Sequence, residues 1–292
     1  MSSHDLAPTG NIFVRSMRRL SQPFGFQKAY NLAFFVIFAG ALLEFTLDRV
    51  PYLILSKGLR SNIAPSEAFW YSQHFFRIGI ILHLITILPS GALAVLQFVP
   101  TITQKAPIFH CVNGHVVNLL LLLANIGALM IARNAFGGSL ASQSAVGTLV
   151  IATTGSALLA WYYVKRLQIH LHRAWMLRCW FYTGTIITMR IIHSISARII
   201  SHTGSYNSII RCDQIAFTLN RTRTQAYPAC AADPINGLAV VHANMLTPAS
   251  AIEAGAAAGV GFGMALWMAM TIHAVGIEVY LALTAAETER LQ

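Results

Sequence analysis

The chain has 292 residues, 55% of them hydrophobic and only 10% charged, with a formal net charge of +10 and a mean hydropathy of +0.58. A soluble domain carries about a quarter charged residues; this chain has too few to cover a water-facing surface and reads as an integral membrane protein embedded in a lipid bilayer. Its basic excess flanks apolar runs, where Lys and Arg anchor helices to head groups, so the charge does not mark a nucleic-acid footprint.

Residues 1–28 include "NIFVRSMRRL", a basic and mildly amphipathic stretch. It lacks the short apolar core and small-residue cleavage site of a secretory signal, and reads as a cytosolic flank ahead of one membrane domain over 29–292. A hydrocarbon core of about 30 Å needs about 20 helical residues. Six runs qualify: 29–47, 76–99, 108–132, 141–164, 174–197 and 255–283. The expected fold class is therefore an all-α integral membrane protein of about six transmembrane helices, with a long loop over 198–254 before the last helix.

Basic residues divide evenly between the two sides, so the positive-inside rule does not orient the chain. The long loop does. It holds Cys212 and Cys230, a candidate disulfide, and Asn220 in "NRT", an N-glycosylation sequon; both suit an oxidising lumen. A lumenal loop puts the termini in the cytosol, in an endomembrane or the plasma membrane. Cys111 and Cys179 lie in apolar runs and read as packing residues. In the last helix, "GAAAGVGFG" sets Gly255, Gly259 and Gly263 on one face at four-residue spacing. Small residues so spaced allow close helix approach, either inside the bundle, the preferred reading, or across a homodimer.

An ionisable residue in a spanning helix is costly and normally faces protein, water or ligand. The candidates are Glu44, His83, His110, His115, Arg178, Arg190, His193, His273 and Glu278. With the loop lumenal, His110 and His115 fall near the cytosolic start of the third helix, and His170 and His172 near that of the fifth. His83 and His193 fall in lumenal halves. His172 and Arg190 are about five helical turns apart and share a face with Met176, Cys179, Thr183 and Ile186. His170, His172, Arg173 and Arg178 are shallow enough to be interfacial anchors; Arg190 is too deep for easy snorkelling.

Three stretches carry a resemblance: "HLITILPSGALAVLQF" from His83, "FHCVNG" from Phe109 and "HRAWMLRCWFYTGTIITMR" from His172. Together, over about residues 75–200, the chain resembles an uncharacterised family of predicted multi-pass membrane proteins. That family shows a His helix ending in Gly…Gln-Phe, a His-Arg-x-x-Gly helix start, and His-Arg-x-Trp-Met-x-Arg followed by a later arginine. His172, Arg173, Trp175, Met176, Arg178 and Arg190 match the last motif, whereas Cys111 stands where the second carries arginine. The resemblance implies a four-helix core and no particular activity.

Three function classes remain. One is an intramembrane enzyme acting on a lipophilic small molecule, by isomerisation, cyclisation or oxidation in a specialised biosynthetic pathway. There His172 and His110 would serve as the acid–base pair, and Arg173 and Arg178 would hold an anionic group. Arg190 and His83 would form a second, lumenal-side cluster. No aspartate-rich diphosphate motif and no G-x-S-x-G elbow is present, which argues against ionisation-type prenyl chemistry and serine hydrolysis. The second class is a b-type haem electron carrier, with His110 or His115 facing His172 and His83 facing His193. The third is a non-catalytic accessory subunit. The arginines favour the enzyme, because bis-histidine ligation has no need of Arg178 or Arg190.

Overall fold

The computed structural model describes residues 24–26, 29–53, 63–64, 66–219 and 226–284. Most of the basic segment before residue 29, and Asn220 with its sequon, lie outside the described residues.

Five described helices are long and apolar enough to cross a membrane: α1 (Ala29–Asp48), α3 (His74–Gln97), α5 (Pro107–Ala132), α6 (Leu140–Lys165) and α10 (Ala251–Leu283). The sixth long helix, α7 (Ile169–Thr203), has 35 residues. Its histidines and arginines lower its hydropathy, yet it is continuous through the run expected over 174–197 and extends it at both ends. Between α1 and α3 the expected connection contains a short helix, α2 (Glu67–Ser72). A second short helix, α4 (Pro100–Lys105), opens on a proline at its first turn, where a missing N–H costs nothing. The protein is thus a multi-pass, all-α membrane protein.

The chain divides into two compact units. The first comprises Met1–Asp48 and Leu88–Leu120. Inside it, Ser90 Oγ donates to Val117 O at 3.0 Å and Asn113 Nδ2 to Leu93 O at 3.1 Å. These bonds tie α3 to α5 through groups that hydrocarbon cannot satisfy.

The second unit, Arg49–Ile87 with Leu121–Gln292, holds α6, α7 and α10. Their shared core is Ala145, Met189, Phe262, Ala265, Leu266 and Ala269. Small side chains let the backbones close: a Cβ on Gly263 would fall 2.6 Å from Ser142 N. One on Gly259 would fall 3.2 Å from Phe136 O. These two glycines of the four-residue series therefore meet their own chain, as the within-bundle reading expected.

The described residues of the loop before α10 form regular structure. Strands β1 (Asn207–Arg211) and β2 (Leu238–His242) pair antiparallel, from Asn207 opposite His242 to Arg211 opposite Leu238. Helices α8 (Cys212–Thr218) and α9 (Pro228–Ala232) lie between them in sequence and are joined by the Cys212–Cys230 disulfide. Alternation turns Ile210, Ala239 and Val241 inward, onto Ile215 and the first turns of α10 through Ile252 and Ala256. This small apolar core, which includes Ile200 of α7 and Ile252 and Ala256 of α10, fixes the loop against the ends of those two helices.

Candidate functional site

The histidines singled out in the sequence are largely engaged with helix carbonyls. A carbonyl only accepts, so in each case the ring nitrogen donates. His83 Nδ1 donates to Ala124 O at 2.9 Å and His172 Nδ1 to Ala160 O at 2.9 Å. His115 Nδ1 donates to Cys111 O of its own helix at 2.7 Å, and His193 Nε2 to Ala258 O at 2.7 Å. His110 Nδ1 stands 3.4 Å from Thr103 Oγ1. His110 and His172 belong to different units. At His83 the helices α3 and α5 touch, since a Cβ on Gly127 would fall 2.6 Å from His83 N. Among the described residues no group of three His, Cys, Asp or Glu side chains gathers with metal-holding geometry.

The arginines behave differently from one another. Arg178 forms a bidentate pair with Glu278 of α10, Nε to Oε1 at 2.7 Å and an Nη to Oε2 at 2.8 Å. Its guanidinium also lies 4.8 Å over the Trp175 ring. Arg173 is half-buried in the first turns of α7.

Arg190 has no such fork. Its Nε is buried without an acceptor, and no hydrogen bond or ion pair among the described residues joins it to His83 or to any carboxylate. Its guanidinium sits 5.3 Å over the ring of Phe136. Glu67, Tyr71, Tyr52 and a second cation, Arg49, lie within electrostatic reach. Arg49 itself donates to Tyr52 Oη at 2.7 Å.

Phe136 organises this cluster. Its φ of 48° is left-handed, an uncommon conformation for a bulky residue. Three contacts hold it there. Its N–H donates to Glu67 Oε1 at 3.0 Å. Its ring stacks on Phe262, centroids 4.2 Å apart. The His193 ring meets it edge-on at 5.6 Å. Gly137 and Gly138 follow with positive φ, so the turn between α5 and α6 can fold back over the bundle.

Glu67 is the group that sequence reasoning missed. It is 3% exposed. Burial pushes its carboxyl up from 4.5 to about 7, against the opposing pull of the Phe136 N–H, Tyr71 and Arg190. Tyr71 Oη lies 3.5 Å from Oε2; burial and the neighbouring carboxylate raise this phenol well above its ordinary range. The residue before Glu67, Ser66, is itself left-handed (φ 75°) and is fixed by Gln214 Nε2 donating to its carbonyl at 3.2 Å. The one available signal was compositional: Glu67 is among only ten acidic residues in the chain.

Beside the cluster, a groove of about 410 Å³ runs along α7, lined by Arg190, Ile191, Ser194, Ile195 and Arg198. Ile191 and Ile195 are 61% and 54% exposed, so the groove is open and its walls are apolar between two guanidiniums. The arrangement suits an anionic head with a hydrocarbon body.

No curated protein and no solved structure matches the chain. Residues 80–221, which include Arg190 and all of α6 and α7, match the model of an uncharacterised family described as "Predicted membrane protein (DUF2306)".

Proposed function

We propose that the protein is an intramembrane enzyme that holds a lipophilic small molecule by an anionic or carbonyl oxygen at Arg190 and moves a proton through Glu67. The observation that carries this reading is the Nε of Arg190, buried without an acceptor in the long helix α7. An ionised group there is expensive unless something pairs with it, and the adjoining groove offers space for that partner. Glu67 adds the chemistry: a carboxyl near 7 both accepts and donates protons at neutral pH.

The reaction class that fits these groups is a redox-neutral isomerisation. The Glu67 carboxylate takes a proton from a carbon next to the carbonyl, and the C–H electron pair moves onto the carbonyl oxygen. Arg190 stabilises the resulting oxyanion. The protonated Glu67 then returns the proton to a different carbon, so atoms and charge balance without a further reagent. The acid–base role assigned to His172 and His110 in the sequence passes to Glu67 in this reading, because the ring of His172 is committed to Ala160. The Cys212–Cys230 disulfide favours a loop facing an oxidising compartment, with cytosolic termini.

The test is recovery of bound lipophiles by mass spectrometry from wild-type protein and from Arg190→Gln, purified alike. The expected result is an anionic or carbonyl-bearing lipophile retained by the wild type and depleted about tenfold or more in the variant. Equal recovery from both would sink the assignment.

A further inference from the structure

A second cavity, of about 320 Å³, lies at the loop end of the second unit. Its walls come from elements outside the spanning helices or at their ends: Ser66 and Trp70 around α2, the α5–α6 turn, β1, and the first turns of α10. The polar groups lining it are chiefly Arg133, Asn134, Gln143, Arg211, Gln214 and Ser208. Two guanidiniums stand among amides and hydroxyls, and no carboxylate is among the described residues that line it. Asp213 engages Arg211 from beside the cavity, through a fork of 3.0 and 2.6 Å. Arg211 is thereby held in place, and Arg133 is left as a cation with no carboxylate against it among the described residues.

Two of the amides are also fixed. Gln143 Nε2 donates to Gly138 O at 2.7 Å, and Gln214 Nε2 to Ser66 O at 3.2 Å. Their carbonyl ends and their orientation are therefore set before anything binds. Rigid polar walls lower the ordering cost of holding a small ligand. The floor is glycine-rich, with Gly137, Gly138, Gly255 and Gly259, so backbone rather than side chains bounds that side.

We propose that this cavity binds a small water-soluble anion, a molecule bearing a carboxylate or phosphate group, with Arg133 as its principal charge partner. The site is distinct from the groove at Arg190 and does not rest on the enzymatic reading. Polar walls distinguish it: β1 supplies Ser208 and Arg211, and the α5–α6 turn supplies Arg133 and Asn134. A lipid-derived head group would instead need a route for acyl chains, and the apolar lining is confined to Trp70, Ile209, Ile210 and Ala256.

The experiment is calorimetric titration of the purified full chain in detergent micelles with inorganic phosphate and, separately, succinate. At least one probe is expected to bind saturably. Arg133→Gln should weaken that binding about tenfold or more. Ser208→Phe, which fills the cavity and removes no charge, should do the same. Lys165→Gln, at the far end of α6, should leave it unchanged. No saturable heat from either probe up to about 10 mM would overturn the proposal. So would unchanged binding in Ser208→Phe, which decides the matter if Arg133→Gln fails to fold, or an equal loss in Lys165→Gln. Displacement of the probe by a short-chain phosphatidic acid at lower concentration would reassign the cavity to lipid head groups and overturn the water-soluble class.

Discussion

Helix α7 carries two arginines in two opposite situations. Arg178 meets the carboxylate of Glu278 through both arms of its guanidinium and stacks over Trp175. Arg190, about 18 Å further along the same helix, meets an aromatic face, a second cation, and a carboxyl that burial drives toward neutrality. The first arrangement closes on itself: two guanidinium nitrogens meet both carboxylate oxygens, and the pair joins α7 to α10. The second stays open, with the Nε of Arg190 buried and without an acceptor. A charged residue in a long apolar helix is therefore not by itself a candidate site; the candidate is the one whose buried donor lacks an acceptor.

The largest test of this contrast lies at Glu67. Its folded value of about 7 stands above the ordinary carboxyl value of 4.5, so the folded protein keeps the proton longer than the unfolded chain. The corresponding stability is complete below about pH 4.5 and is lost as pH rises through 7. Glu67→Gln is expected to abolish that loss and to exceed the wild type by on the order of 3 kcal/mol at pH 8, with little difference near pH 4. Unfolding free energies measured in mixed micelles at the two pH values check this. An advantage of the same size at both would remove the titration argument.

Next comes Arg178→Leu, which strands Glu278. Breaking a charge pair by deleting one member typically costs about 3–5 kcal/mol when buried. Part of this pair is exposed, so about 1–3 kcal/mol is expected, recovered in Arg178→Leu/Glu278→Leu. A double-mutant cycle measures the coupling. Arg190→Leu sharpens the comparison from the other side. Removing an unpaired cation should be neutral or stabilising by about 1–2 kcal/mol, with loss of the bound lipophile. A large destabilisation would show that Arg190 is structural. The smallest effect is expected at His83: His83→Asn, which keeps a donor for Ala124 O, should stay within about 1 kcal/mol of wild type.

Much of the fold was legible because hydrocarbon thickness imposes a length and a composition on each spanning helix. All six long helices were expected within a few residues of their observed ends, α7 being longer than its apolar run. The preference for packing inside the bundle at Gly259 and Gly263 follows equally from local spacing. Arg190 was legible as an anomaly of depth. Its surroundings were not. Glu67 sits in a six-residue helix with no periodic signal, and its bond to Phe136 spans 69 positions in sequence. Nothing in "NAFGG" announces that the phenylalanine, rather than a glycine, takes the left-handed turn. The commitments of His83 and His172 to Ala124 and Ala160 were hidden for the same reason. A side chain that donates to a neighbouring helix's carbonyl reads, in sequence, like one that awaits a substrate.

The 35 residues of α7 extend to about 52 Å, well beyond a hydrocarbon core of about 30 Å. The 33 residues of α10, its most extensively packed neighbour, are nearly as long. Two helices of that length must tilt, or project past the acyl chains, by an amount that depends on the bilayer around them. A change in bilayer thickness changes that tilt or overhang, and with it the depth of the stretch from Arg190 to Arg198. Acyl-chain length thus becomes a control on how deeply the groove, and the guanidinium at its inner end, is immersed.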